Sequence, residues 1–183
     1  MSQVRNGTKA RRSESTGDRI IKVNHAGENG AVSIYRGQIF MARWTAPAML
    51  PQLRLFCEHE QHHRAIFCAE LERRRRRRCR SYGLCALGGW VLGLLTGLLG
   101  AKAIAATTVA VERVVLRHLE RQLITLRGVD VEAVAAITAI MEDEAVHRDH
   151  AERCVEPDSF WLRALTPIVS TSTEIVIWLG MRL

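Results

Sequence analysis

One spacing constrains this chain more than any other property. Glu28 is followed 32 positions later by Glu60, which opens Glu60-Gln61-His62-His63, a Glu-x-x-His. Glu112 is followed 32 positions later by Glu144, which opens Glu144-Ala145-Val146-His147. A shift of 84 residues therefore carries Glu28, Glu60 and His63 onto Glu112, Glu144 and His147. Residues i and i+3 of a helix share a face, so each Glu-x-x-His presents a carboxylate beside an imidazole. Four carboxylates and two imidazoles from four helices form the donor set of di-iron and di-manganese carboxylate bundles. Carboxylates offset the charge of two metal ions, and imidazole is a borderline ligand suited to iron. The expected fold is all-α, with a four-helix bundle as its core.

At 183 residues the chain is one domain, long enough for four helices and further elements. Low aromatic content and abundant Ala, Leu, Arg and Glu favour helix. Five cysteines with no Cys-x-x-Cys argue against a disulfide framework and for a reducing compartment. The net charge of +7 equals the contribution of seven arginines, Arg73 to Arg78 and Arg80, so the basicity is local.

Residues 1 to about 17 are polar and read as a disordered tail. They are Arg- and Ser-rich like a transit peptide, which stays an alternative, but they lack its amphipathic apolar face, and no secretory apolar region precedes Asp18. The spacing predicts a first helix capped by Asp18, carrying Ile21, Glu28, Val32, Tyr35 and Ile39, and stopping before Pro47. Gly27 and Gly30 flank Glu28; they leave room for metal, dioxygen or substrate, or they allow close helix packing. A second helix runs from about Ala48 into the arginines. His59, His62 and His63 all lie near Glu60, but only His63 meets a histidine under the shift; His62 lands on Val146 and His59 on Asp143. His63 is thus the expected ligand, and His59 and His62 are surface or supporting groups. Cys57 and Cys68, within about 80° of Glu60 on the helix, read as buried core thiols. A third helix spans about Lys102 to Arg127, ends at Gly128, and holds Val109, Glu112, Leu116, Leu119 and Leu123 inward. His118, about 120° from Glu112, supports the site or marks the core edge. Asp130 caps a fourth helix that ends before Pro157. Pro167 to Arg182 reads as a short apolar helix that joins a membrane-facing surface or seals the bundle.

Residues 81–101 carry no charge and contain Trp90, seven leucines and six glycines. That meets the length of a membrane span, and Gly89, Gly93 and Gly97 repeat a close-packing pattern. The shift places the start of the third bundle helix near Lys102, so this stretch lies outside the four-helix core. A simple crossing would separate the two halves that the bundle must join, which favours an excursion in the membrane interface. The expected lipid contacts are Trp90, Leu94 and Leu98, with Arg75 and Arg76 near anionic headgroups, each cation contributing about 1 kcal/mol before screening. No nucleic-acid motif accompanies the arginine run.

These residues resemble a known family. Asn24-His25-Ala26-Gly27-Glu28, the Glu60/His63 pair, Thr108-Val109-Ala110-Val111-Glu112 and Asp143-Glu144-x-x-His147 look like the demethoxyubiquinone hydroxylases of ubiquinone biosynthesis. The resemblance covers about residues 18 to 183; it rests on the Asn-His-Ala-Gly-Glu start and the Gly-rich excursion, because the ligand motifs alone indicate only a ferritin-like protein. It implies a ferritin-like bundle holding two irons on Glu28, Glu60, His63, Glu112, Glu144 and His147. It implies hydroxylation of a polyprenylated demethoxyubiquinol with dioxygen and reducing equivalents from NADH. The isoprenoid tail of such a substrate accounts for a membrane-seeking surface. Membrane lipids, a second copy of the chain and other ubiquinone-biosynthesis proteins are the expected partners. The expected location is the cytoplasmic face of a bacterial inner membrane, with the matrix side of a mitochondrial inner membrane as the alternative. Where relatives often carry His-His-Tyr, this chain has Arg117-His118-Leu119, so only His118 carries over; the arginine run exceeds the family pattern.

Four rivals share some of these features. A di-iron quinol oxidase would use the same six residues but is generally longer. An iron-storage protein would not expose 21 uncharged residues. A rubrerythrin-like peroxidase would carry an extra Cys-x-x-Cys site. A scaffold with glutamates as surface charges gives no reason for the fixed shift.

Overall fold

The computed structural model describes residues 13–182, which form six α-helices and one 3-10 turn. Most of the expected tail, residues 1–12, and Leu183 lie outside the described residues. Helix α1, Thr16–Thr45, starts before Asp18. Ser15 is the true cap: its Oγ accepts from the Asp18 N–H at 3.0 Å, and the Asp18 carboxylate accepts from the Ser15 N–H at 3.0 Å. This reciprocal pair satisfies two of the orphan donors at a helix start, so Asp18 is its third residue. Its neighbour Gly17 packs against the Asp130 side chain. After the turn Pro47–Met49, α2 spans Leu50–Arg73. The Gly-rich stretch is helical: α3 covers Tyr82–Leu98. Helix α4, Ala101–Leu126, is followed by Gly128 in the left-handed region, φ 75°. The Asp130 N–H just beyond returns to the Leu126 carbonyl. Asp130 then caps α5, Val131–Arg153, through Ala133 N–H. Helix α6, Phe160–Gly180, begins seven residues before the expected start at Pro167. Ser159 caps it, and Pro167 sits inside the helix rather than at its first turn.

The bundle consists of the hairpins α1/α2 and α4/α5, with α3 lying along α1 and α6 along α4. Shifting the first three helices by 84 residues superimposes them approximately on the second three. The duplication seen in six residues therefore extends to the outer helices, and α6 is the counterpart of the Gly-rich helix. One core cluster joins Ile20, Ile21, Phe67, Leu119, Ile137 and Ile140 at one end; another joins Val32, Tyr35, Leu53 and Phe56 beyond the site.

The glycine repeat of α3 meets α1 rather than another chain. A Cβ on Gly89 would collide with the Gly30 carbonyl, and one on Gly93 with the Ile34 carbonyl. One on Gly37 would lie 2.8 Å from the Leu94 nitrogen. The backbones approach because side chains are missing on both helices, as in apolar helix pairs. Gln38 Nε2 to Thr96 Oγ1 at 3.1 Å and Thr45 Oγ1 to Gly97 O at 2.6 Å add polar ties across the crossing. Among the described residues no helix is long and apolar enough to cross a membrane.

The arginine run divides. Arg74 is half-buried and holds Asp130 at 2.6 Å and Glu70 at 2.6 Å, linking the ends of α2 and α5. Arg76, expected at the membrane, instead pairs with Asp18 at 2.8 Å. Arg75, Arg77, Arg78 and Arg80 remain exposed. On α3, Leu94 is half-buried, whereas Leu87 (62%) and Leu95 (56%) are more exposed than Trp90 (38%). The exposed apolar row thus runs through Leu84, Leu87, Val91, Leu95 and Leu98.

Candidate metal centre

Each of the four bundle helices carries its part of the set to one level of the core. Helix α1 supplies Glu28, α2 Glu60 and His63, α4 Glu112, and α5 Glu144 and His147. None of the six is more than 5% exposed. They form two quartets: Glu28, Glu60, His63 and Glu144; and Glu60, Glu112, Glu144 and His147. In each, one donor atom per residue lies within 4.8 Å of the others. The 84-residue shift converts one quartet into the other, and Glu60 and Glu144 belong to both.

Four carboxylates cannot stay buried and all ionised without compensation. Burial drives Glu28 and Glu112 well above the ordinary carboxylate range, with the Glu144 charge adding to the effect. Burial likewise brings Glu60 to about 8. Glu144 goes the other way: burial would raise it, but the His147 imidazole 3.7 Å away and the hydrogen-bonded His63 hold it down to about 2. Burial would lower His63, yet its bond to Glu144 and the surrounding carboxylates keep it up to about 9. Protons thus do the neutralising that cations would do, and cation binding would displace them. Glu60 Oε1, Glu144 Oε2 and His147 Nδ1 are buried without a hydrogen bond. His147 Nδ1 lies 3.1 Å from Glu60 Oε1, but not in hydrogen-bond geometry. Unpaired polar atoms converging in a buried cluster of carboxylates and imidazoles fit metal binding.

The imidazoles are aimed from behind. His63 Nε2 lies 3.0 Å from Asp143 Oδ2, and His147 Nε2 lies 3.1 Å from His59 Nδ1. The Asp143 carboxylate accepts, so His63 carries its outer proton on Nε2 and turns Nδ1 to the cluster, a common way of orienting metal-binding histidines. Residues 59 and 143 are themselves related by the shift, and each reaches the histidine of the other half. The comparison that set His59 aside, because it lands on an aspartate, therefore contained the signal: either side chain can bond an imidazole. His62 is exposed, and His118 faces the cavity described next. Tyr35 donates to Glu112 Oε1 at 3.4 Å, and the Phe56 ring packs 4.1 Å from that of His147. Cys57 is buried beside Val32, whereas Cys68 is only half-buried, on the outer side near Glu72.

A cavity of about 250 Å³ opens from the cluster between α1, α3, α4 and α6. Glu28, Glu60, Glu112 and Glu144 border it, while Ile34, Leu92, Val115, Leu119 and Val176 make its walls apolar. The two glycines beside Glu28 serve different ends. A Cβ on Gly27 would meet nothing within 4 Å, so Gly27 adds space, whereas one on Gly30 would touch Cys85 at 3.4 Å and Gly30 serves packing. His118 lies on the wall, its Nε2 2.7 Å from Glu174 Oε2.

Known proteins are similar to this chain in sequence. The chain is 32% identical over 171 residues to the Dictyostelium discoideum NADPH-dependent 3-demethoxyubiquinone 3-hydroxylase, mitochondrial, covering 90% of this chain and 76% of that one. It is 31% identical over 167 residues to the 3-demethoxyubiquinol 3-hydroxylase of Rhodospirillum rubrum, covering 90% and 77%. To the human NADPH-dependent 3-demethoxyubiquinone 3-hydroxylase, mitochondrial, it is 31% identical over 172 residues, covering 91% and 77%. The pattern of the family described as "Ubiquinone biosynthesis protein COQ7" matches residues 15–180, a span holding all six helices and both quartets, and the chain belongs to that family.

Proposed function

We propose that this chain is a di-iron monooxygenase that hydroxylates the ring of a polyprenylated demethoxyubiquinol. The observation that carries this reading is an apolar cavity whose inner border is formed by the four clustered carboxylates. Glu28, Glu60, His63, Glu112, Glu144 and His147 would hold two irons, with Glu60 and Glu144 shared between them. A reduced iron pair, when bound, activates dioxygen. One oxygen atom enters the ring and the other leaves as water, which takes two electrons and two protons. A reduced nicotinamide nucleotide is the proposed source; two relatives are named for NADPH, so NADPH stands beside the NADH expected from sequence. The protein's own share is to hold the ring against the carboxylates and keep bulk water out through the walls of α3, α4 and α6.

The same cavity supports a peripheral position on a membrane. Helices α3 and α6 both border it, and both carry exposed apolar side chains, including Leu87, Leu95, Ile168, Ile175 and Trp178. A lipid-borne quinol could enter between them without its tail meeting water. Both bacterial and mitochondrial relatives occur, so either inner membrane remains the proposed site.

The test is metal content with product analysis, on wild type and Glu144→Ala, given a short-tailed demethoxyquinone, a reduced nicotinamide nucleotide and dioxygen. Wild type should hold about two irons per chain and add one oxygen to the ring. Loss of a shared carboxylate should remove most of the iron and lower turnover at least about a hundredfold. Quinol consumed without oxygen insertion would point to an oxidase instead; failure to bind iron on anaerobic reconstitution would end the di-iron reading.

A further inference from the structure

Besides His118, the cavity wall carries a buried polar pair that the metal-ligand set does not use. Asn24 of α1 and Gln122 of α4 form a reciprocal amide pair. Asn24 Nδ2 donates to Gln122 Oε1 at 2.8 Å, and Gln122 Nε2 donates to Asn24 Oδ1 at 3.0 Å. Both side chains are buried, and both border the cavity. A primary amide has two N–H donors and two acceptor lone pairs, so the pairing leaves one of each unused on both residues. A clasp between helices does not call for amides here, because an apolar pair of similar shape is about as stabilising in a buried wall. Leftover donors and acceptors on residues that border an apolar cavity suit a ligand with ring oxygens.

The placement suits such a ligand as well. Asn24 lies one helical turn before Glu28, about 6 Å along α1. Gly27, between them, leaves the intervening space open. A six-membered ring seated there has the carboxylates on one side and the amide pair on the other.

We propose that Asn24 and Gln122 together dock a ring oxygen of the quinol, and thereby set which ring carbon faces the metal centre. A free amide N–H donates to that oxygen, and a free amide carbonyl accepts the quinol O–H. This rests on the quinol reading above. The two residues select ring orientation; they take no part in oxygen activation.

The test separates docking from helix clasping. On iron-loaded protein, anaerobic and without reductant, one measures the Kd of a short-tailed demethoxyquinone. The comparison ligand is an arene of the same outline with both ring carbonyls replaced by C–H. Wild type should prefer the quinone. The double variant Asn24→Leu/Gln122→Leu should lower that preference about tenfold, the effect of losing roughly one to two hydrogen bonds. The swap Asn24→Gln/Gln122→Asn keeps the clasp but moves it by one methylene. It should keep the thermal midpoint and still lose part of the preference. No preference in wild type, or an unchanged preference in either variant that folds, overturns the proposal. Failure of the hydroxylase reading would look different: no oxygenated product from wild type, with the binding preference intact.

Discussion

Two buried imidazoles in this chain are held in opposite protonation states by what surrounds them. His63 keeps its proton because Glu144, Glu28 and Glu60 face it. His25 stacks on Tyr82 at 4.9 Å between ring centroids, and burial with the Arg64 and Arg78 charges holds it down to about 4. In the unfolded chain His25 would titrate near 6.5. Between those values the unfolded state binds the extra proton, so stability falls as pH drops from about 6.5 toward 4. His25→Phe should remove that slope: its urea midpoint, relative to wild type, should rise on going from neutral pH to about pH 5. Equal shifts of both proteins with pH would rule out His25 as the source. At this scale the six cluster residues were legible in the sequence because helical periodicity fixes their facing. Asp143 was not, and His59 was left between a surface and a supporting role, since a supporting role tolerates different residue types at equivalent positions. The amide pair was not legible either, because nothing local marks Asn24 and Gln122, 98 positions apart, as neighbours.

Elements that cross closely are set by what is missing from their surfaces. Helix α3 rests on α1 through Gly89, Gly93 and Gly97 against Gly30 and Gly37. Gly93→Ala would drive a methyl into the Ile34 backbone, where no side chain can rotate away. It should destabilise by about 2–3 kcal/mol, as overpacking does. Gly83→Ala, which meets nothing within 4 Å, is the control and should be neutral or slightly stabilising. Equal urea midpoints for the two variants would contradict the close crossing. The glycine spacing was readable in the sequence, but its partner was not, because a glycine ridge fits another chain or its own neighbour equally well. The start of α6 was missed for a simpler reason: Pro167 looks like a first-turn residue, yet Ser159 caps the helix upstream and the proline is carried in the interior.

For the whole molecule, the proposed membrane contact rests on the outward faces of α3 and α6, which carry exposed apolar side chains. Leu87 and Leu95 touch little protein, so Leu87→Ser/Leu95→Ser should leave the thermal midpoint within about a degree or two. The same change should weaken sedimentation with lipid vesicles at least tenfold, since each lost leucine removes about 2 kcal/mol of transfer free energy. Unchanged vesicle binding would place the membrane contact elsewhere. The exposed apolar face of α3 was legible from the uncharged stretch; the inward pull on Arg74 and Arg76 was not, because their carboxylate partners come from distant parts of the chain. The two quartets carry a last consequence. Each takes three donors from its own half of the chain and borrows the fourth, Glu144 or Glu60, from the other. A chain divided at Gly100, between α3 and α4, would yield two three-helix fragments, neither owning a complete site. Metal uptake would then report reassembly, and the centre acts as a two-key lock whose closure certifies that both repeats have found each other.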